Sequence, residues 1–184
     1  MKKTNALKIT IMSIAVVINI IGAFIATTLK LPIFIDTIGT FLSAFLFGPV
    51  GGMLTGMVTS LINGVTFDPY SLYFMPVQAT IGLVGGICYK KNLFKGKLVA
   101  LGIIITTVIG SLVASLISAF VFGGITSSGT SFIIMYLKEA GVNIITSVFS
   151  TQILFDLIDK SITVLLVLTI LKALPANIKV TNEV

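Results

Sequence analysis

Apolar residues run along this chain in long blocks separated by short polar punctuation. A helix needs about 20 mostly apolar residues to cross a bilayer, and the blocks predict six such spans: 7–29, 36–47, 50–65, 72–89, 98–122 and 151–174. The breaks carry turn chemistry. Lys30-Leu31-Pro32 closes the first span, Gly48-Pro49 ends the short second one, and Phe67-Asp68-Pro69-Tyr70 separates the third from the fourth. Residues 90–97 form a lysine-rich loop, and 123–131 a Gly/Ser/Thr loop. The stretch 132–150 is mildly apolar but contains Lys138, Glu139 and Asn143. It reads as a partly buried or re-entrant helix at one face, with a seventh span as the alternative. Residues 176–184 read as a polar, frayed tail.

Composition turns this pattern into a class. Of 184 residues, 56% are hydrophobic and 10% are charged, with a mean hydropathy of +1.14; a soluble domain carries about 25% charged residues. The fold expected is an all-α membrane protein, with 1–184 as one integral-membrane domain whose surroundings are lipid. Met1-Lys2-Lys3 before an apolar run superficially resembles a signal peptide. The run is too long, however, and no clear small-residue cleavage site precedes Lys30, so it reads as a retained first helix.

The net charge is +6. There is no arginine, no tryptophan and no aromatic-interleaved basic stripe, which argues against nucleic acid as a partner. The lysines report topology instead. Lys2, Lys3, Lys8, Lys90, Lys91, Lys95, Lys97, Lys172 and Lys179, nine of the twelve, fall on one side of a six-span arrangement. By the positive-inside rule that side is the cytoplasm, with both termini there, and the membrane is the cell membrane. Asp36, Asp68, Glu139, Asp156 and Asp159 map to the outer half, and only Glu183 lies inside. Acidic residues barely influence insertion, so their bias asks for another reason, and an outward-opening binding site supplies one.

Ionisable groups inside spans are costly and functional by default. Asp36 opens the second span, and Asp156, Asp159 and Lys160 lie in the sixth. Asp156 and Lys160, four residues apart, share a helix face; they either neutralise each other or face the bundle interior to contact substrate. Thr40, Asn63, Asp68, Tyr70, Tyr73 and Gln78 are further substrate-site candidates. The tyrosines are either interfacial belt residues or stacking surfaces for a flat heterocycle, and Gln78 needs a partner on a helix or a ligand. Lys138, Glu139 and Asn143 are candidates whose plainer reading is a solvated face. Small residues recur along the first span, where Gly22 and Ala26 form a small-xxx-small pair, and the fifth span repeats the pattern at Gly110, Ser111, Ala114, Ser115 and Ser118. Such faces either pack within the bundle or dock a second membrane protein.

Enzyme chemistry is not indicated. There is no histidine, and one cysteine, Cys88, excludes an internal disulfide and a multi-cysteine metal site. No Walker A, HExxH or GxSxG sequence is present. No catalytic residue, metal site or cofactor is expected.

Several segments share one order and spacing with a known family: 31–40 (LPIFIDTIGT), 47–52 (FGPVGG) with Gly56, Pro76, 81–86 (IGLVGG), and 156–163 (DLIDKSIT) followed by an apolar run and Leu174-Pro175. The chain thereby resembles the substrate-binding S components of energy-coupling factor (ECF) vitamin transporters, over nearly its whole length. The resemblance implies a six-helix bundle that binds a vitamin or similar micronutrient near its outer face. It also implies partners, namely a membrane scaffold subunit and two ATPases, and toppling of the S component to deliver the ligand inside. The docking surface in such proteins is often an Ala-xxx-Ala pattern on the first helix. This sequence departs from that pattern, and Ala15, Asn19, Gly22, Ala23 and Ala26 are the nearest candidates. Tyrosines, Asn63, Gln78 and outer acids suit a neutral or cationic heterocycle, such as a vitamin B6 compound, another ring-containing vitamin or a nucleobase. A self-sufficient carrier or channel for a small solute is the alternative; the acid bias together with small-residue faces favours the docked binder.

Overall fold

The computed structural model describes residues 2–175, with side chains from residue 6 onward. The helices are α1 (Lys2–Thr28), α2 (Ile38–Thr66), α3 (Tyr70–Tyr73), α4 (Met75–Lys90), α5 (Val99–Phe122), α6 (Thr130–Glu139) and α7 (Ile144–Ala173), with a 3-10 turn at Gly96–Leu98. Among the described residues there is no strand. The 176–184 tail, with Lys179 and Glu183, lies outside the described residues, as do the side chains of Lys2 and Lys3.

Large aliphatic and aromatic side chains cover the outside of the bundle, among them Val17 and Phe24 on α1, Val65 on α2, Leu116 and Phe120 on α5 and Leu165 on α7. Its interior is rich in small and hydroxyl residues, including Thr40, Thr55, Thr59, Thr106 and Ser111. A protein in water hides the first kind and shows the second; lipid reverses the preference. The chain is membrane-embedded.

Three helical segments are long and apolar enough to cross a membrane: Ala6–Thr28, Ile38–Thr66 and Gly96–Phe122. That is fewer than the six spans the sequence predicts, for three reasons. Ile38–Thr66 is one segment that contains two expected spans, 36–47 and 50–65. The 16-residue α4 is about 24 Å long at 1.5 Å per residue. The 30-residue α7 is long enough but carries Asp156, Asp159, Lys160 and Lys172.

The break expected at Gly48-Pro49 is a reversal. Gly48 has φ 82° and ψ −178°, outside the helical region, and the two arms of α2, 38–47 and 49–66, fold back on each other. A Cβ at Gly52 would lie 2.5 Å from the Ala44 Cβ, and one at Gly51 would lie 3.3 Å from the Ser43 carbonyl oxygen. In one continuous helix, residues eight apart are about 12 Å apart along the axis. Gly48 supplies the backbone conformation that other residues resist, and Pro49, with no N–H to leave unpaired, starts the second arm.

The expected fourth span, 72–89, is interrupted at Phe74, which separates the single turn α3 from α4. Residues 132–150 do not form one re-entrant helix. α6 ends at Glu139, and α7 begins at Ile144, seven residues before the expected start of the sixth span. The Asn143 side chain accepts a hydrogen bond from the Ile145 N–H at 2.9 Å and so caps α7.

Helix α1 is tied to the α2 hairpin through Asn19, fully buried. Its Nδ2 donates to Thr40 Oγ1 (2.9 Å) and Thr59 Oγ1 (3.2 Å), one on each arm, and its Oδ1 accepts from the Gly39 N–H at 2.7 Å. Asn19→Ala orphans that buried N–H, a loss of about 1–3 kcal/mol. We expect a lowered thermal midpoint in detergent-purified protein; an unchanged midpoint would mean that water replaces the amide without cost.

The two ends of α4 differ. Near Tyr89 the bundle has an apolar core in which Phe45 stacks on Tyr89 (ring centroids 4.3 Å apart) and packs against Phe41 and Phe94, beside an open groove of about 640 Å³ lined by Phe45, Tyr89, Phe94 and Leu168. Near Gln78 lies a smaller cavity whose lining includes buried polar and charged side chains.

Candidate functional site

The cavity at the Gln78 end has a volume of about 90 Å³. It lies where α1, the second arm of α2 and α5 end, bounded by the start of α4, the first half of α7 and the connection 29–37. One water-sized sphere needs about 10–15 Å³ on this measure, so the space suits a single small ring rather than a macrocycle.

Its polar floor comes from α7. Asp156, Asp159 and Lys160 are each less than 5% exposed. The Lys160 Nζ donates to Asp159 Oδ2 at 2.7 Å and lies 3.7 Å from Asp156 Oδ1. The i,i+4 pair read from the sequence is therefore present, but the adjacent acid is the closer partner. Asp156 Oδ2 also accepts from Ser111 Oγ (2.7 Å) and Gln152 Nε2 (3.3 Å).

The connection 29–37 crosses over this floor. Asp159 Oδ1 accepts from the Ile35 N–H at 2.9 Å, and Ile35 has φ 53°, an uncommon conformation for a β-branched residue. Gly22 allows this approach, because a Cβ there would collide with the Ile35 carbonyl. The Phe34 ring lies 5.9 Å from Lys160 Nζ, within cation–π range. Asp36 follows, with Gln78 Nε2 donating to its Oδ2 at 2.7 Å, while Gln78 Oε1 accepts from Thr40 Oγ1 at 3.2 Å. The chain Asn19–Thr40–Gln78–Asp36 thus runs from α1 to the cavity.

Not every candidate reaches the cavity. Asp36, Asp68, Tyr70, Gln78, Asp156 and Lys160 line it. Thr40 and Asp159 stand one bond behind, holding Gln78 and Lys160. Asn63 is buried near the end of α2, where its carbonyl accepts from the Phe67 and Asp68 N–H groups. Tyr73 is 56% exposed and packs on Phe122 with Tyr70 and Phe74. Lys138, Glu139 and Asn143 are exposed and do not line the cavity. The residues of the expected docking stripe, Ala15, Asn19, Gly22, Ala23 and Ala26, are all buried within the chain. Ala15 lies against Gly39, Gly22 against Ile35, and Ala23 and Ala26 line the cavity. Small residues permit close approach, but their spacing does not say to which neighbour.

Sequence reasoning missed Phe34, Ser60, Phe74 and Gln152, which also line the cavity, and read Ser118, another lining residue, only as part of a small-residue packing or docking face. Phe34 belongs to the connection that contains Asp36, and Gln152 lies one turn before Asp156; Ser60 gave no signal.

Comparison with known proteins adds the family. The model of the family described as ECF transporter, substrate-specific component, matches residues 7–171. No curated protein and no solved structure matches the chain. With the match spanning nearly the whole sequence, the chain belongs to the substrate-specific component family of ECF transporters.

Proposed function

We propose that this ECF substrate-binding subunit captures a small ring-containing vitamin, a vitamin B6 compound or a similar heterocycle, at the outer face of the cell membrane. The observation that carries the reading is the cavity whose polar groups converge from α4, α7 and the 29–37 connection while Phe34, Tyr70 and Phe74 supply apolar faces. Such a mixture of mostly apolar walls with a few fixed polar groups is what holds and orients a small ligand. In this reading the chain is one membrane domain crossing six times, with both termini cytoplasmic, and the cavity opens outward. Delivery depends on a scaffold subunit and two ATPases, because the chain contains no Walker A sequence with which to use ATP itself.

Co-purification of the tagged chain from its own membranes tests this. The expected result is a scaffold protein and two ATPases, with a vitamin-sized compound released on denaturation. A protein that purifies alone and moves solute across ATP-free liposomes is instead a self-sufficient carrier.

A further inference from the structure

The cavity's unused hydrogen-bonding capacity consists mainly of acceptors. Three interacting carboxylates, Asp36, Asp156 and Asp159, face a single ammonium, Lys160, which is already directed at Asp159 and Asp156. Lys30, in the 29–37 connection, does not line the cavity; it is exposed and donates to the Ser127 carbonyl. Asp36 meets Gln78 through Oδ2, leaving Oδ1 for another partner. Gln152 must turn its amide nitrogen to the Asp156 carboxylate, so its Oε1 remains as an acceptor. Two more groups point to a ligand independently of the acids. Ser60 and Ser118 are each 3% exposed and line the cavity, and their hydroxyls have no partner among the described residues. Neither hydroxyl is sealed off from the cavity, so both are free to bond a molecule held there.

We infer that the ligand is an organic cation: a small ring bearing a protonated nitrogen, whose N–H groups are received by Asp36 Oδ1, with the ring held against Phe34 and Tyr70. This rests on the reading of the chain as a ligand-binding subunit and narrows the heterocycle to the charged class. A carboxylate or phosphate ligand would add negative charge to an acid surplus in a poorly solvated site. A neutral ring would leave that surplus uncompensated.

The test uses three probes that share one pyridine ring and differ at one substituent: pyridoxamine (ammonium), pyridoxine (hydroxyl) and 4-pyridoxic acid (carboxylate). Their dissociation constants for the purified full chain are measured by calorimetry at neutral pH. Pyridoxamine is expected to bind at least about tenfold more tightly than pyridoxine, the scale of exchanging a neutral for a charge-assisted hydrogen bond, with the carboxylate weakest. Asp36→Asn should bring the first two within about threefold of each other, a loss of most of that charge-assisted preference; Asp36→Glu should restore part of the gap. The ranking on the unaltered chain decides the matter even if a variant fails to fold. Equal affinities, the reverse order, or binding by none of the three overturns the cation assignment. The subunit reading is judged separately, by whether the scaffold and ATPases co-purify.

Discussion

Lys160→Met is expected to leave little folded protein. The ammonium is 3% exposed and supplies the positive charge at the centre of Asp156, Asp159 and Asp36. Removing one partner of a buried ion pair costs about 3–5 kcal/mol because the remaining charge has neither water nor counterion, and here more than one carboxylate loses its counterion. Total stabilities of about 5–15 kcal/mol leave little room for that. Asp159 also anchors the Ile35 N–H, so the loss spreads into the connection over the cavity. The measurement is membrane yield and thermal midpoint in detergent, read beside Asp159→Asn/Lys160→Met. The double variant removes a charge of each sign and should recover part of the stability. A double variant no better than Lys160→Met alone would mean that the lysine contributes through the packing of its stem and not through its charge.

The membrane class and much of the helix pattern were legible because lipid imposes a simple demand. A helix surrounded by hydrocarbon must be apolar over a fixed length, and that is visible without knowing its neighbours. The Gly48-Pro49 break was legible for a similar local reason, since few residue pairs stop a helix so firmly. The junction between α6 and α7 was not. Its polar residues, Lys138, Glu139 and Asn143, signal an interruption, but a cap, a re-entrant loop and a solvated turn share that composition, and only the Asn143 bond to Ile145 distinguishes them.

The site was legible where polarity is expensive. Asp36, Asp156 and Lys160 stood out because lipid-facing helices cannot carry them cheaply, and they converge on one cavity. Rarity does not give direction, however. Asn19, suspected of docking a partner, instead bridges both arms of the hairpin. Ser60 and Ser118 resemble the many serines that pack between helices, and only the cavity beside them gives them meaning.

Gly82→Val is the second large effect expected, and it sets backbone sterics against helix propensity. Gly82 lies in the middle of α4, where a larger residue should favour the helix; Gly itself costs about 1 kcal/mol relative to Ala in such a position. Yet a Cβ at Gly82 would fall on the Gly52 carbonyl carbon and the Met53 nitrogen, main-chain atoms that no rotamer change can move. The reciprocal surface is as close: a Cβ at Gly52 would meet the Gly82 oxygen at 2.9 Å, and one at Gly86 would meet the Pro49 Cα at 2.5 Å. Three glycines therefore set the distance between α4 and the α2 hairpin, and with it the position of Gln78 against Asp36 and Thr40. We expect Gly82→Val to cost about 3 kcal/mol or more, at the upper end of overpacking effects, with Gly82→Ala changing stability in the same direction. Gly123→Ala is the comparison. Gly123 has φ 57° and nothing within 4 Å of an added Cβ, so only the left-handed conformation opposes it, at about 1–2 kcal/mol. Thermal unfolding in one detergent ranks the three variants. A Gly82→Ala protein as stable as its parent would mean that propensity wins and that α4 stands further from the hairpin than these contacts require. A loss there, accompanied by weakened ligand binding, would show that the spacing of two helix backbones sets the geometry of the cavity.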